Sequence, residues 1–295
     1  MSNVQGSGIR GQGSEIDQAG QLAAGQFGSG IYVKAFWGLL LRDLRVLTRE
    51  FHVFLARVGM QPLLFLFVFT FILPRMGGAN PMVMGGSGLN FGTILLPGLM
   101  AVAIMFSGIA AVALPLSQEF GVTREIDDRV MCPLPLWAVA FEKVSFSALQ
   151  SIIAALLVIP MAYYIPTVPV KADVHNWLLL ALVLVLASYL AGALGLVIGS
   201  TVNPRQIGLV FSILVVPITF LGCVYYPWIG LWRNVRWLAV AVLFNPIVYM
   251  SEGLRAAVTP GVEHMHWWAI LVALVFFTAA LGRLGLKGFL GRVLS

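Results

Sequence analysis

The chain has 295 residues, 59% of them hydrophobic and only 10% charged, with a net charge of +6. Soluble domains carry about 25% charged residues, so this composition excludes an ordinary soluble enzyme and points to a membrane domain. The positive balance fits the cytosolic bias of Lys and Arg in membrane proteins better than a nucleic-acid surface. The two cysteines, Cys132 and Cys223, make no disulfide framework.

Residues 1–30 are polar and rich in Gly, Ser and Gln, which predicts a disordered cytosolic tail and no secretory signal. The spacing Gly6-x-Gly8-x-x-Gly11 resembles a dinucleotide-binding turn, but no apolar strand precedes it. Residues 31–56 have the period of an amphipathic helix, with Phe36, Leu40, Leu44, Leu47 and Phe51 on one face. Lys34, Arg42, Arg45 and Arg49 fall on the other, a pattern suited to the headgroup layer.

Charge is then almost absent. Val58 to Gln118 contains only Arg75, Ser145 to Val202 only Lys171 and Asp173, and Gln206 to Trp232 and Trp267 to Gly282 none. A helix crosses hydrocarbon with about 20 apolar residues, and charge inside it is costly. The pattern predicts six crossings, near 57–74, 92–116, 144–165, 177–200, 207–224 and 267–282. With the N-terminus in the cytosol, thirteen Lys and Arg lie inside and five outside, so both termini are expected there. The fourth crossing carries small residues every fourth position, Ala187, Ala191, Gly195 and Gly199, which predicts a closely packed neighbour. Pro217 is expected to kink the fifth. Residues 225–266 hold apolar pieces too short to cross, broken at Asn245-Pro246, and read as a re-entrant insert.

Charge gathers in two places. Between the second and third crossings stand Glu119, Arg124, Glu125, Asp127, Asp128 and Arg129, a compact mixed-charge loop suited to docking on a soluble protein. In the insert, Asn245, Pro246 and Tyr249 precede Glu252 and Arg255, which are spaced to pair on a helix. The alternative is a surface pair of little consequence.

Asn245-Pro246, Tyr249 and Glu252-Gly253-Leu254-Arg255 before a last span resemble the C-terminal signature of ABC-2 type permeases. The loop from Glu119 through Gly121, Asp128-Arg129 and Pro135 resembles the one after their second span, and the likeness covers about residues 31–295. The resemblance is nearest to drug- and lipid-exporting permeases of the daunorubicin-resistance type. It implies an all-α, polytopic fold with six transmembrane helices, an N-terminal interfacial connecting helix (31–56) and a transmembrane domain over 57–295. It further implies a permease subunit in the plasma (inner) membrane, paired as a homodimer or heterodimer. A separate cytosolic ATPase would bind ATP and Mg and dock on the loop at Glu119–Arg129. Met105, Phe106, Phe211 and Phe220 are the residues expected along the substrate path. The acidic character of that loop at Glu125, Asp127 and Asp128 departs from many members.

The chain has no G-x-x-x-x-G-K-[ST], so no nucleotide site or cofactor of its own is expected. It also lacks H-E-x-x-H and G-x-S-x-G. Glu263, His264 and His266 beside Trp267 and Trp268 read as an interfacial belt rather than a metal site. An ion-coupled secondary transporter or a membrane-embedded enzyme are the competing functions. Mid-span ionisable residues, which ion coupling usually needs, are nearly absent.

Overall fold

A computed structural model describes residues 29–72, 75, 91–123, 135–165, 174, 176–259 and 261–293. Among them every regular element is helical. In chain order these are α1 (Ser29–Arg49), α2 (Phe51–Leu66, continued by a π turn to Ile72) and α3 (Phe91–Gln118, continued by a π turn Glu119–Thr123). Then come α4 (Leu136–Tyr164), α5 (Trp177–Thr201) and α6 (Ile207–Phe220, after a 3-10 turn Pro204–Gln206). The insert holds α7 (Trp228–Asn234), α8 (Arg236–Ala241, continued to Phe244) and α9 (Pro246–Val258), and α10 is Trp267–Val293.

Five helices are long and apolar enough to cross a membrane: Phe51–Ile72, Gly92–Gly121, Leu136–Tyr164, Trp177–Thr201 and Trp267–Val293. Counting Arg236–Phe244 and Pro246–Val258 as one broken span makes six. These two pieces meet at 101°. The crossing expected at 207–224 is instead a shorter apolar helix, Pro204–Phe220. At 1.5 Å per residue it spans roughly 25 Å, short of the ~30 Å hydrocarbon core. Pro217 lies in its last turn, and the chain turns sharply over 221–226.

Helix edges differ from the sequence expectation for identifiable reasons. The helix expected over 31–56 stops at Arg49, because Glu50 (φ −104°, ψ 20°) leaves helical geometry and a new helix starts at Phe51. The third span begins at Leu136 rather than 144, because Glu142 and Lys143 are buried inside it instead of marking its edge. The last continues to Val293, carrying Arg283, Lys287 and Arg292 beyond its apolar part.

α3 and α5 are apolar around their whole circumference, as helices at the centre of a bundle must be. Leu95, Leu96, Leu99, Met100, Ile104 and Met105 of α3 are almost fully buried, as are Val183, Ala187, Leu190 and Ala191 of α5. α4, α9 and α10 pack around this pair, and α2 lies against α3 and α4. Lipid-surrounded helices associate through close packing rather than hydrophobic transfer, and the small-residue ladder supplies it. A Cβ added at Gly195 would lie 2.9 Å from the Ile109 carbonyl oxygen, so only glycine lets α5 approach α3 this closely. Arg292 near the end of α10 donates to the carbonyls of Gly199, Ser200 and Val202 (3.3, 3.2 and 2.8 Å), capping the C-terminus of α5.

α1 docks on the chain itself. Tyr32, Ala35 and Leu39 pack on Ala138 and Val139, and Phe36 stacks on Phe141 with ring centres 6.1 Å apart. Val33, Trp37 and Leu41 stay exposed on another side.

Candidate functional site

The charges of the insert form a buried clamp. Asn245 breaks the bent pair: its side chain accepts from Ile247 N (3.0 Å) as the N-cap of α9, and its Nδ2 donates to the Ile218 carbonyl (2.6 Å). Pro246 takes the first helical position, where its missing N–H costs nothing. Tyr249 Oη donates to the Leu243 carbonyl at 3.0 Å, tying α9 back to the preceding piece.

Glu252 and Arg255 are ion-paired, and both are fully buried. Glu252 also accepts from two loop backbones, Trp228 N at 2.9 Å and Met265 N at 3.0 Å. Arg255 donates to the Cys223 carbonyl at 3.1 Å. Cys223 has φ 52°, a left-handed conformation that costs a residue with a Cβ about 1–2 kcal/mol. Ser251 Oγ holds the adjacent Gly222 carbonyl at 2.7 Å. One helix face thus fastens the turn before α7 and the loop before α10. The pair is not superficial. Its partners, the backbones of Cys223, Trp228 and Met265, carry no sequence signature beyond lying in loops that need satisfied polar groups.

At the opposite end of the bundle, Glu119 is not presented for docking. It is buried in the π turn that ends α3, and it accepts from Lys143 Nζ of α4 at 2.7 Å. Phe120 beside it lies under the Arg292 guanidinium, 4.8 Å away. The loop residues Arg124, Glu125, Asp127, Asp128 and Arg129 lie outside the described residues.

A cavity of about 770 Å³ opens at this end, between the end of α1, the start of α2, the second half of α3, the first half of α4 and the start of α6. It is lined by charged side chains, Arg42, Asp43, Glu50, Arg57, Glu119 and Lys143, and by apolar ones, among them Val102, Ala103 and Phe106. Of the four expected path residues, Phe106 and Phe211 line it and meet edge-to-face at 5.7 Å. Met105 turns into the α3 core with 0% exposure, and Phe220 lies farther along, its ring 5.4 Å from Tyr225. Tyr225 also meets Phe65 of α2 at 5.3 Å.

No group of three or more His, Cys, Asp or Glu able to hold a metal occurs among the described residues. Glu263 is ion-paired with Arg233 at 2.9 Å, and His264 Nδ1 lies 2.8 Å from the Met265 carbonyl.

A multi-pass helical membrane protein, with an amphipathic cavity at one end and a broken, clamped helix pair at the other, is the class these features define. The ABC-2 type transporter family matches residues 34–259, and the chain belongs to that family. It is 29% identical over 174 residues to the inner membrane transport permease YadH of Escherichia coli K12, covering 57% of this chain. The same relative in Shigella flexneri matches equally. The aligned part spans 63% of those relatives' length.

Proposed function

We propose that the chain is the permease subunit of an ATP-binding cassette exporter, moving hydrophobic or amphipathic substrates (drug, lipid or glycolipid) out of the cytoplasm. The observation that carries this reading is membership of the ABC-2 family in a chain whose cavity is lined by both charged and apolar side chains. The printed name of its relatives, inner membrane transport permease, supports transport and the inner membrane. Both termini face the cytosol, as the excess of Lys and Arg in the inner segments favours.

The chain is not itself an enzyme. A separate ATPase subunit binds ATP and Mg, since this sequence carries no P-loop. Two permease subunits pair, as a homodimer or with a second permease, and each ATPase presses on the loop Glu119–Arg129. Glu119 and Lys143 give that push a rigid route. Their buried pair joins the end of α3 to α4, so displacement of the loop moves both helices rather than bending the turn. Substrate bound between the helices then leaves outward as the two states differ in affinity for it. Two of the buried carboxylates favour this over ion coupling. Glu252 and Glu119 are each committed to a cation, which leaves them poor carriers of a proton or sodium.

The test is co-reconstitution with the ATPase. Reversing charge with D127K/D128K should abolish substrate-stimulated ATP hydrolysis and transport while the purified permease keeps its helical content. Unaltered transport by that variant refutes the coupling role of the loop. Pumping by the permease alone, without nucleotide, refutes the exporter reading.

A further inference from the structure

The helices share the packing unevenly. α3, α4, α5 and α10 are cross-tied into a block. Ser147 of α4 donates to the Gly108 carbonyl of α3 at 2.8 Å, and Lys143 of α4 pairs with Glu119 at 2.7 Å. A Cβ added at Gly199 of α5 would lie 3.1 Å from the Ala113 Cα of α3, so those backbones pack closely. Phe289 of α10 has no exposed surface and shares one cluster with Val112 and Leu116 of α3, Val144 of α4 and Leu196 of α5.

α6 stands apart from this block. A Cβ added at Gly208 would meet nothing within 4 Å, and Leu209 and Ile213 are 63% and 65% exposed. Its first half touches the core through Ile207 and through Phe211, which meets Phe106 edge-on at 5.7 Å. Pro217 has no N–H to give the Ile213 carbonyl, which weakens the helix backbone there. Segments with few buried contacts are the ones that shift at least cost.

Both ends of α6 are nevertheless located. At the clamp, Asn245 holds the Ile218 carbonyl at 2.6 Å, and Ser251 holds that of Gly222, just past the helix, at 2.7 Å. At the other end α6 joins α5 through the turn Pro204–Gln206, closed by the bond from Gln206 N to the Asn203 carbonyl at 2.9 Å. Pro204 lies against the π turn that ends α3. A Cβ at Gly121 would come within 2.7 Å of Pro204 Cβ and 2.8 Å of its Cγ. Those atoms belong to a rigid ring, which cannot step aside by changing rotamer. Any side chain at Gly121 must therefore move the turn that starts α6.

We propose that α6 is the adjustable wall of the cavity, and that the abutment of Gly121 on Pro204 sets where it rests. α6 carries Gly208 and Phe211 into the lining, so its position fixes the width beside Phe106. Gly121 and Pro204 are positioning residues: they act on cargo through Phe211. In the exporter reading, on which this last step rests, they set the size of molecule the cavity accepts.

The experiment measures the wall first, without ATPase. The full chain carries C132S and is reconstituted in nanodiscs, with Cys223 left buried. Nitroxides at I213C and L149C report the separation of α6 from the block, and a second pair at L149C and V275C reports the block itself. All three positions are exposed. G121L should shift the first distance and leave the second unchanged. G121L/P204G, with the ring gone, should return the first towards its wild-type value. G121A makes the same push with one methyl if the leucine variant does not fold. Co-reconstitution with the ATPase then compares transport of ethidium and of the bulkier rhodamine 6G. Their ratio should change in G121A and recover in G121A/P204G, whereas a loss of stability lowers both rates together.

An unchanged first distance in both G121L and G121A overturns the proposal, as does an equal shift in the two pairs. An unmoved α6 is also the outcome expected if a second copy packs on Leu209 and Ile213. A shifted wall with an unchanged transport ratio overturns the role in selecting cargo. Failure of the wild type to transport either dye counts against the exporter reading for such amphiphiles, and the distances decide the wall independently.

Discussion

Glu252→Gln tests the clamp most directly. The substitution keeps shape and one acceptor oxygen but removes the charge that compensates Arg255, which has no exposed surface. Glu252 receives three donors, from Arg255, Trp228 N and Met265 N. Hydrogen bonds to a charged group contribute about 1.5–3 kcal/mol each, and the three are not additive. Breaking one side of a buried ion pair costs about 3–5 kcal/mol, because the remaining charge stays desolvated. The expected loss is therefore about 3–5 kcal/mol, read as a lowered unfolding midpoint in detergent. A local readout accompanies it. Cys223 is fully buried, and its carbonyl is held by Arg255, so in a C132S background the variant should expose it to maleimide. The double variant E252Q/R255Q should recover part of the loss, since no unpaired cation is left. A single-variant loss below about 1 kcal/mol with Cys223 still protected would refute the clamp, as would strictly additive effects.

Four further outcomes follow from the packing. Lys143→Ala removes the buried ion pair that Lys143 makes with Glu119 and should destabilise by about 1–3 kcal/mol. ATPase stimulation should fall in the same variant, compared at a temperature where it is still folded. Gly195→Leu forces α5 off Ile109, and overpacking of about 1–3 kcal/mol should appear as a lower thermal midpoint. Arg292→Ala frees three carbonyls at the end of α5, and hydrogen exchange should rise over residues 198–202, with about 1 kcal/mol lost globally. Phe211→Ala removes the edge-to-face contact with Phe106, and transport of bulky substrates should change while Met105→Ala, in the packed core, acts through stability alone.

The candidate site was only partly legible beforehand. The Asn245-Pro246 break and the spacing of Glu252 and Arg255 could be picked out from local pattern, whereas Phe106 and Phe211 came only from the family resemblance. That Met105 packs into the core and Phe211 lines the cavity could not, because both helices are apolar on every side and periodicity carries no facing information there. Glu119 read as part of a docking surface for a related reason. A carboxylate at a helix end looks solvated until its cation, 24 residues away on α4, is brought to it.

Bare runs of apolar residues were enough to make this a multi-pass helical membrane protein, since hydrocarbon rejects unpaired charge whatever the fold. The ladder from Ala187 to Gly199 likewise announced a close neighbour from spacing alone. Which neighbour it met was a matter of three-dimensional packing, and so was the burial of Glu252, Arg255, Glu119 and Lys143. A charge inside a membrane protein is tolerable only with its counter-charge at hydrogen-bond distance, and the contact that grants this joins segments far apart in the chain. The cavity exists only because α1, α2, α3, α4 and α6 come together around it.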